Sequence, residues 1–196
     1  PDNVRNFFET GRNLSNNIAL AGRNASTNYR VSLTNVQQEG IFPNTSSDRV
    51  DLQAQVGADA TERLRLEARM TFVDYVARNM PDVGYAFPDN PVQSMFTFFG
   101  RQLRMDKLRD YKSPDGSPRN WNTLFFDNPY WVQYENTKRQ ERDRILGGLS
   151  LNYELSQRSG ISALAGIDRY SETRNERRPC WKISRSGSPI LPSRNH

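Results

Sequence analysis

Residues 141–155 read ERDRILGGLSLNYEL, residues 156–160 read SQRSG, and residues 161–170 read ISALAGIDRY. In the first segment Ile145, Gly147, Leu149, Leu151, Tyr153 and Leu155 share one side. Leu146, Gly148, Ser150, Asn152 and Glu154 share the other. A period of two is the mark of a β-strand with one apolar and one polar face, because successive side chains point to opposite sides. The second segment groups Ile161, Ala163, Ala165 and Ile167 in the same way and returns antiparallel across a short polar turn. This stretch is a β-hairpin, and it sets the fold class as all-β.

The same hairpin recurs twice upstream. The alternation predicts six antiparallel strands, at about residues 13–21, 27–35, 48–56, 62–75, 142–155 and 161–172. Residues 22–26 and 57–61, rich in turn formers, read as tight connections, and 37–47 as a medium loop. Leu64, Leu66, Ala68, Met70 and Phe72 oppose Arg65, Glu67, Arg69 and Thr71 in the longest of the early strands. A helix competes for residues 64–76, whose Glu, Arg, Leu, Ala and Met favour one. It would leave Leu66 and Met70 on its flank, so the strand is preferred.

Residues 77–140 break the pattern and read as one long loop, a length that points to function or to structure of its own. Within it, Asn90–Pro91 is a helix start, with Asn as cap and Pro at the first helical position. Val92, Met95, Phe96, Phe99, Leu103 and Met105 follow at helical spacing to about Leu108. A turn-rich stretch at 113–118 precedes the aromatic residues Trp121, Phe125, Phe126, Tyr130, Trp131 and Tyr134. Residues 1–178 are thus expected to be one unit. Residues 179–196 lose all periodicity and read as a foreign tail, either the product of a frameshift or natively disordered.

Hydrophobic content of 35% and a mean hydropathy of −0.82 are low for filling a three-dimensional core, but suffice to cover one face of a sheet. The net charge of +5 is concentrated in Arg178, Lys182, Arg185 and Arg194, and the rest of the chain is close to neutral. There is no basic stripe with interleaved aromatics, so no nucleic-acid partner is expected. The single cysteine, Cys180, and single histidine, His196, leave no disulfide framework, cysteine zinc site or histidine-based catalysis. No apolar run approaches the roughly 18 residues of a membrane helix. No metal, cofactor or enzymatic activity is expected.

The connections run short, medium, short, very long, short. All tight turns therefore fall at one end of the sheet and all long loops at the other, as in outer-membrane β-barrels. Strands of about 9–11 residues cross the hydrocarbon when tilted. On this reading Leu64, Leu66, Met70, Phe72, Ile145, Leu149, Leu151 and Tyr153 face lipid. Arg30, Asp51, Gln53, Arg65, Glu67, Arg69, Asn152 and Glu154 face a watery lumen. Six strands cannot enclose so many charges, so the expectation is a transmembrane segment of a larger barrel. A soluble antiparallel sandwich, such as a secreted glycan-binding module, alternates too and remains the rival.

Several stretches resemble the SusC/RagA family of TonB-linked outer-membrane transporters of Bacteroidetes. They are residues 7–11 (FFETG), 24–44 (NASTNYRVSLTNVQQEGIFPN), 90–94 (NPVQS) with Arg101-Gln102, 127–131 (DNPYW), 134–136 (YEN) and 142–144 (RDR). The resemblance spans about residues 4–175 in order. It implies a barrel of roughly 22 strands with an N-terminal plug, in the cell outer membrane. It also implies nutrient uptake of oligosaccharides or peptides, a SusD-like lipoprotein lid and energy from the TonB complex. The plug, the TonB-contact segment, a signal peptide and most strands of that family are not among these residues, so the chain reads as a fragment. The residues singled out for ligand or lid contact are Trp121, Tyr130, Trp131 and Tyr134, since aromatic rings pack on sugar C–H faces and are enriched at interfaces. Packing within the loop and an interfacial aromatic girdle are the competing roles for the same rings, with Phe96, Phe98 and Phe99 buried against them.

Overall fold

The computed structural model describes residues 3–82, 90–93, 95–96, 100, 103–121 and 127–179. The strands are β1 (Arg12–Arg23), β2 (Thr27–Glu39), β3 (Ser46–Thr61), β4 (Leu64–Arg78), β5 (Thr137–Ser156) and β6 (Ser159–Arg177). They form one six-stranded antiparallel sheet in sequence order, β1 to β6, and the sheet is not closed into a barrel. The protein is all-β, and residues 64–76 are strand rather than helix.

Pairing lines up the apolar residues of the alternating segments in rows across the sheet. One row of the ladder runs Ile18, Leu33, Leu52, Phe72, Ile145, and the next runs Leu20, Val31, Ala54, Met70, Gly147, Ile167. Further rows follow through Val56, Ala68 and Leu149, then Leu66, Leu151 and Ala163, to Leu64, Tyr153 and Ile161. Tyr29 pairs with Gly22, and its ring lies where a Gly22 Cβ would be, 2.5 Å from the Tyr29 hydroxyl. A side chain at residue 22 would displace that ring. This apolar face is bare: Ile18 is 77% exposed and Leu149 is 53% exposed. Among the described residues no second sheet or helix covers it.

The tight turns cluster at one end. In the first, Asn24 Oδ1 accepts from the N–H groups of Ser26 (3.0 Å) and Thr27 (2.6 Å), an Asx turn. The second is Glu62–Arg63, not 57–61. β3 continues through that turn-forming composition across a register shift between Asp59 and Thr61, because Asp59 pairs Arg65 at 2.8 Å and extends the ladder. The third is Gln157–Arg158. The loops 40–45 and 79–136 lie at the other end.

The strands also reach further toward the loop end than expected. β5 begins at Thr137 and β6 ends at Arg177. Charge pairs such as Arg78–Asp48 (2.6 Å) sustain the pairing after the apolar alternation stops.

The only packed core among the described residues sits at the loop end. Phe7, Met95, Met105, Leu108 and Tyr130 are buried together, with Val4, Phe8, Phe42, Tyr111 and Trp121 against them. Three segments meet there: the approach segment with its 3-10 turn (Arg5–Phe7), loop 40–45 and loop 79–136.

Candidate functional site

Among the described residues, the long loop holds the short helices α1 (Pro91–Gln93), α2 (Met105–Leu108) and α3 (Pro129–Tyr134). Asn90 caps α1 as its sequence indicates, its Oδ1 accepting from Gln93 N–H at 3.1 Å. One helix running to Leu108 does not form. Arg104 is extended (φ −96°, ψ 122°), and Asn3 takes the backbone groups a continuous helix would use. Asn3 Oδ1 accepts from Met105 N–H at 2.7 Å, and its Nδ2 donates to the Leu103 carbonyl. Phe96 is 68% exposed, which corrects its expected burial; Phe98 and Phe99 lie outside the described residues.

Tyr130 and Trp131 are 4% and 3% exposed and pack the loop from within. Tyr130 meets Phe7 edge-on at 5.0 Å, and Trp131 meets Tyr111 at 6.3 Å. Trp121 is half-buried against the same core. Tyr134, 38% exposed, is the surface member of the four, stacked on Tyr111 at 5.6 Å with planes 7° apart. Phe125 and Phe126 lie outside the described residues. Burial raises the Tyr111 and Tyr134 hydroxyl pKa values above the ordinary tyrosine value, with Glu135 and Glu9 respectively adding to the effect.

The residue that organises this loop is Asn128, which the reading of the aromatics passed over. It is fully buried. Its Oδ1 caps α3 by accepting from Tyr130 N–H at 2.9 Å. Its Nδ2 donates to the carbonyls of Leu108 (2.9 Å) and Arg119 (3.0 Å). Asn128–Pro129 repeats the Asn–Pro signal recognised at residue 90, so the cap was there to be found.

A second latch ties the loop to the sheet. Asn44 and Asn79 both have positive φ (60° and 53°), a conformation asparagine tolerates. Asn79 Nδ2 donates to Asn44 O (2.9 Å), and Asn44 Nδ2 donates to Gln133 O (2.9 Å). The buried Gln133 Nε2 donates in turn to Pro43 O (3.0 Å).

The other candidate surface is the polar face of the sheet. Arg30, Asp51, Gln53, Arg65, Glu67, Arg69, Asn152 and Glu154 all lie on it, opposite Leu64, Leu66, Met70, Phe72, Ile145, Leu149, Leu151 and Tyr153. Most of its charges are paired across or along strands. Arg65 bridges Asp59 (2.8 Å) and Glu67 (3.0 Å), Arg49 meets Asp51 (2.8 Å), and Arg144 meets Asp168 (2.8 Å). Arg142 and Arg174 both meet Glu172.

No helix among the described residues is long and apolar enough to cross a membrane, which says nothing of strands. No protein-family model matches the chain, and no curated protein matches it.

Proposed function

We propose that this sheet is an arc of an outer-membrane β-barrel that forms part of a nutrient importer of the SusC/RagA type. The observation that carries the proposal is a single-layer sheet with one bare apolar face and one ion-paired polar face. In water such a face needs a covering layer; in a bilayer the lipid supplies it. From Leu64 to Phe72 the apolar rows extend about 27 Å along the strand at about 3.4 Å per residue. At a tilt of about 40° that is about 21 Å of height before the terminal side chains add to it, close to the apolar band of about 25 Å in such barrels.

The loop asymmetry supports the same reading, with tight turns on the periplasmic side and the packed loops outside. So do the open edges of β1 and β6, whose backbone groups must pair with further strands in hydrocarbon. The transporter family rests on the residue motifs alone. In that family's terms the loop core, with Tyr134 and Tyr111 on its surface, would receive a SusD-like lipoprotein. Segments other than these residues would contact TonB. The substrate would be an oligosaccharide or peptide.

Fractionation tests the proposal. The chain is expected in the outer-membrane fraction, resistant to carbonate and urea washing and extracted only by detergent. Recovery as a soluble monomer without detergent would overturn it and favour the soluble glycan-binding module.

A further inference from the structure

We infer that the polar face carries a carboxylate-binding station at Arg30 and Arg69, selecting acidic oligosaccharides. The inference rests on the reading of this face as the wall of a water-filled channel. It starts from a contrast among its arginines. Arg49, Arg65, Arg142, Arg144 and Arg174 are each held by a carboxylate. Arg30 and Arg69 are exposed and, among the described residues, neither joins an ion pair or a side-chain hydrogen bond. They belong to one row of the ladder, Ala21, Arg30, Gln55, Arg69, Gly148, Gly166, which contains no acid. Two strand spacings put their Cα atoms about 10 Å apart, within reach of one bound group for side chains of this length.

Space is built in beside Arg69. A Cβ on Gly148 would meet Arg69 Nε at 3.0 Å, so the guanidinium stem lies across a residue that has no side chain. A shallow depression of ≈ 170 Å³ opens there, lined by Gln55, Glu67, Arg69, Gly148 and Ser150 among others. Glu67 is the one acid in that lining, and Arg65 Nε already occupies it at 3.0 Å. The adjoining row supplies Gln53 and Thr71, uncharged groups that donate to and accept from sugar hydroxyls. Its only acid, Asp168, is bound by Arg144. A guanidinium engages a carboxylate through paired N–H donors, and rings of arginine select anions in pores.

The test is a titration of the 196-residue chain in detergent with trigalacturonate, maltotriose and triglutamate. Trigalacturonate is expected to bind, maltotriose weakly or not at all, and R30Q/R69Q should weaken trigalacturonate at least about tenfold, the loss expected of one charge-assisted contact. R69K, which keeps the charge but not the paired donors, should fall between. Circular dichroism and protection of the strands from proteolysis establish that each variant is folded. Equal binding of maltotriose, or unchanged binding in R30Q/R69Q, would overturn the inference. Binding of triglutamate in place of trigalacturonate would overturn its glycan class. A chain that fractionates with the membrane yet ignores these probes refutes the station alone, whereas a soluble chain refutes the barrel reading.

Discussion

Asn128 carries the loop through one side chain that joins α3, the end of α2 and the strand-like residues around Arg119. Asn128→Ala leaves the buried Leu108 carbonyl and Tyr130 N–H, and the partly buried Arg119 carbonyl, without their partner, at a cost of about 1–3 kcal/mol for a buried group so stranded. The loss is expected to appear as faster proteolysis within residues 103–136 while the strands stay protected. Two titrations act on the same loop. Asp115 is held below the ordinary carboxylate value of 3.8 by the N–H and hydroxyl of Ser117. A lowered folded pKa stabilises above the unfolded value and is lost as pH falls through the folded one. The turn 113–117 should therefore stay intact at pH 5 and loosen only below about 3.8, as read by amide protection at Ser117. Tyr111 and Tyr134 have the opposite sign. Their raised values favour the folded loop up to the ordinary value of 10.0, and the contribution is lost as pH rises through the elevated folded pKa values. Tyrosinate absorbance of the folded chain should lag that of the denatured chain.

The strands differ in how openly the sequence declares them. Where apolar and polar residues alternate, as in residues 145–155, both the element and its facing were legible, because only one side is apolar. Toward the loop end the alternation gives way to Lys138, Arg139, Glu141 and Arg142, and the ladder continues with cross-strand charge pairs such as Arg142–Glu172 that periodicity does not register. The connection at 57–61 misled for a related reason: Gly, Ala, Asp and Thr are turn formers, yet Asp59 has a cross-strand partner in Arg65. In the loop the caps were legible and the tertiary competition was not. Nothing near Leu103 announces that Asn3 will take its carbonyl. The facing of β5 makes its own prediction. Leu149 lies in the middle row of the apolar band; if the proposed barrel reading holds, Leu149→Arg should cost about 2–4 kcal/mol of membrane stability, as lipid-facing arginine does at a bilayer midplane. Ser150→Arg, one residue along and on the polar face, should be near neutral. Circular dichroism of the membrane-reconstituted chain in graded urea separates the two.

Across the whole molecule, one end holds tight turns, the middle a two-faced sheet, and the other end a core assembled from three loops. The sheet has little apolar interior of its own, and its exposed ion pairs contribute little stability in water. On the proposed reading, lipid takes the apolar face out of water and further strands pair the edges. The most direct measurement is fluorescence of an environment-sensitive label attached to single cysteines at 148 through 152 in a Cys180→Ser background, with the chain in bilayers containing a quencher in the acyl chains. Labels at Leu149 and Leu151 should be quenched, while those at Gly148, Ser150 and Asn152 should instead respond to a water-soluble quencher. Equal exposure of all five to the water-soluble quencher, with no alternation, would contradict the account.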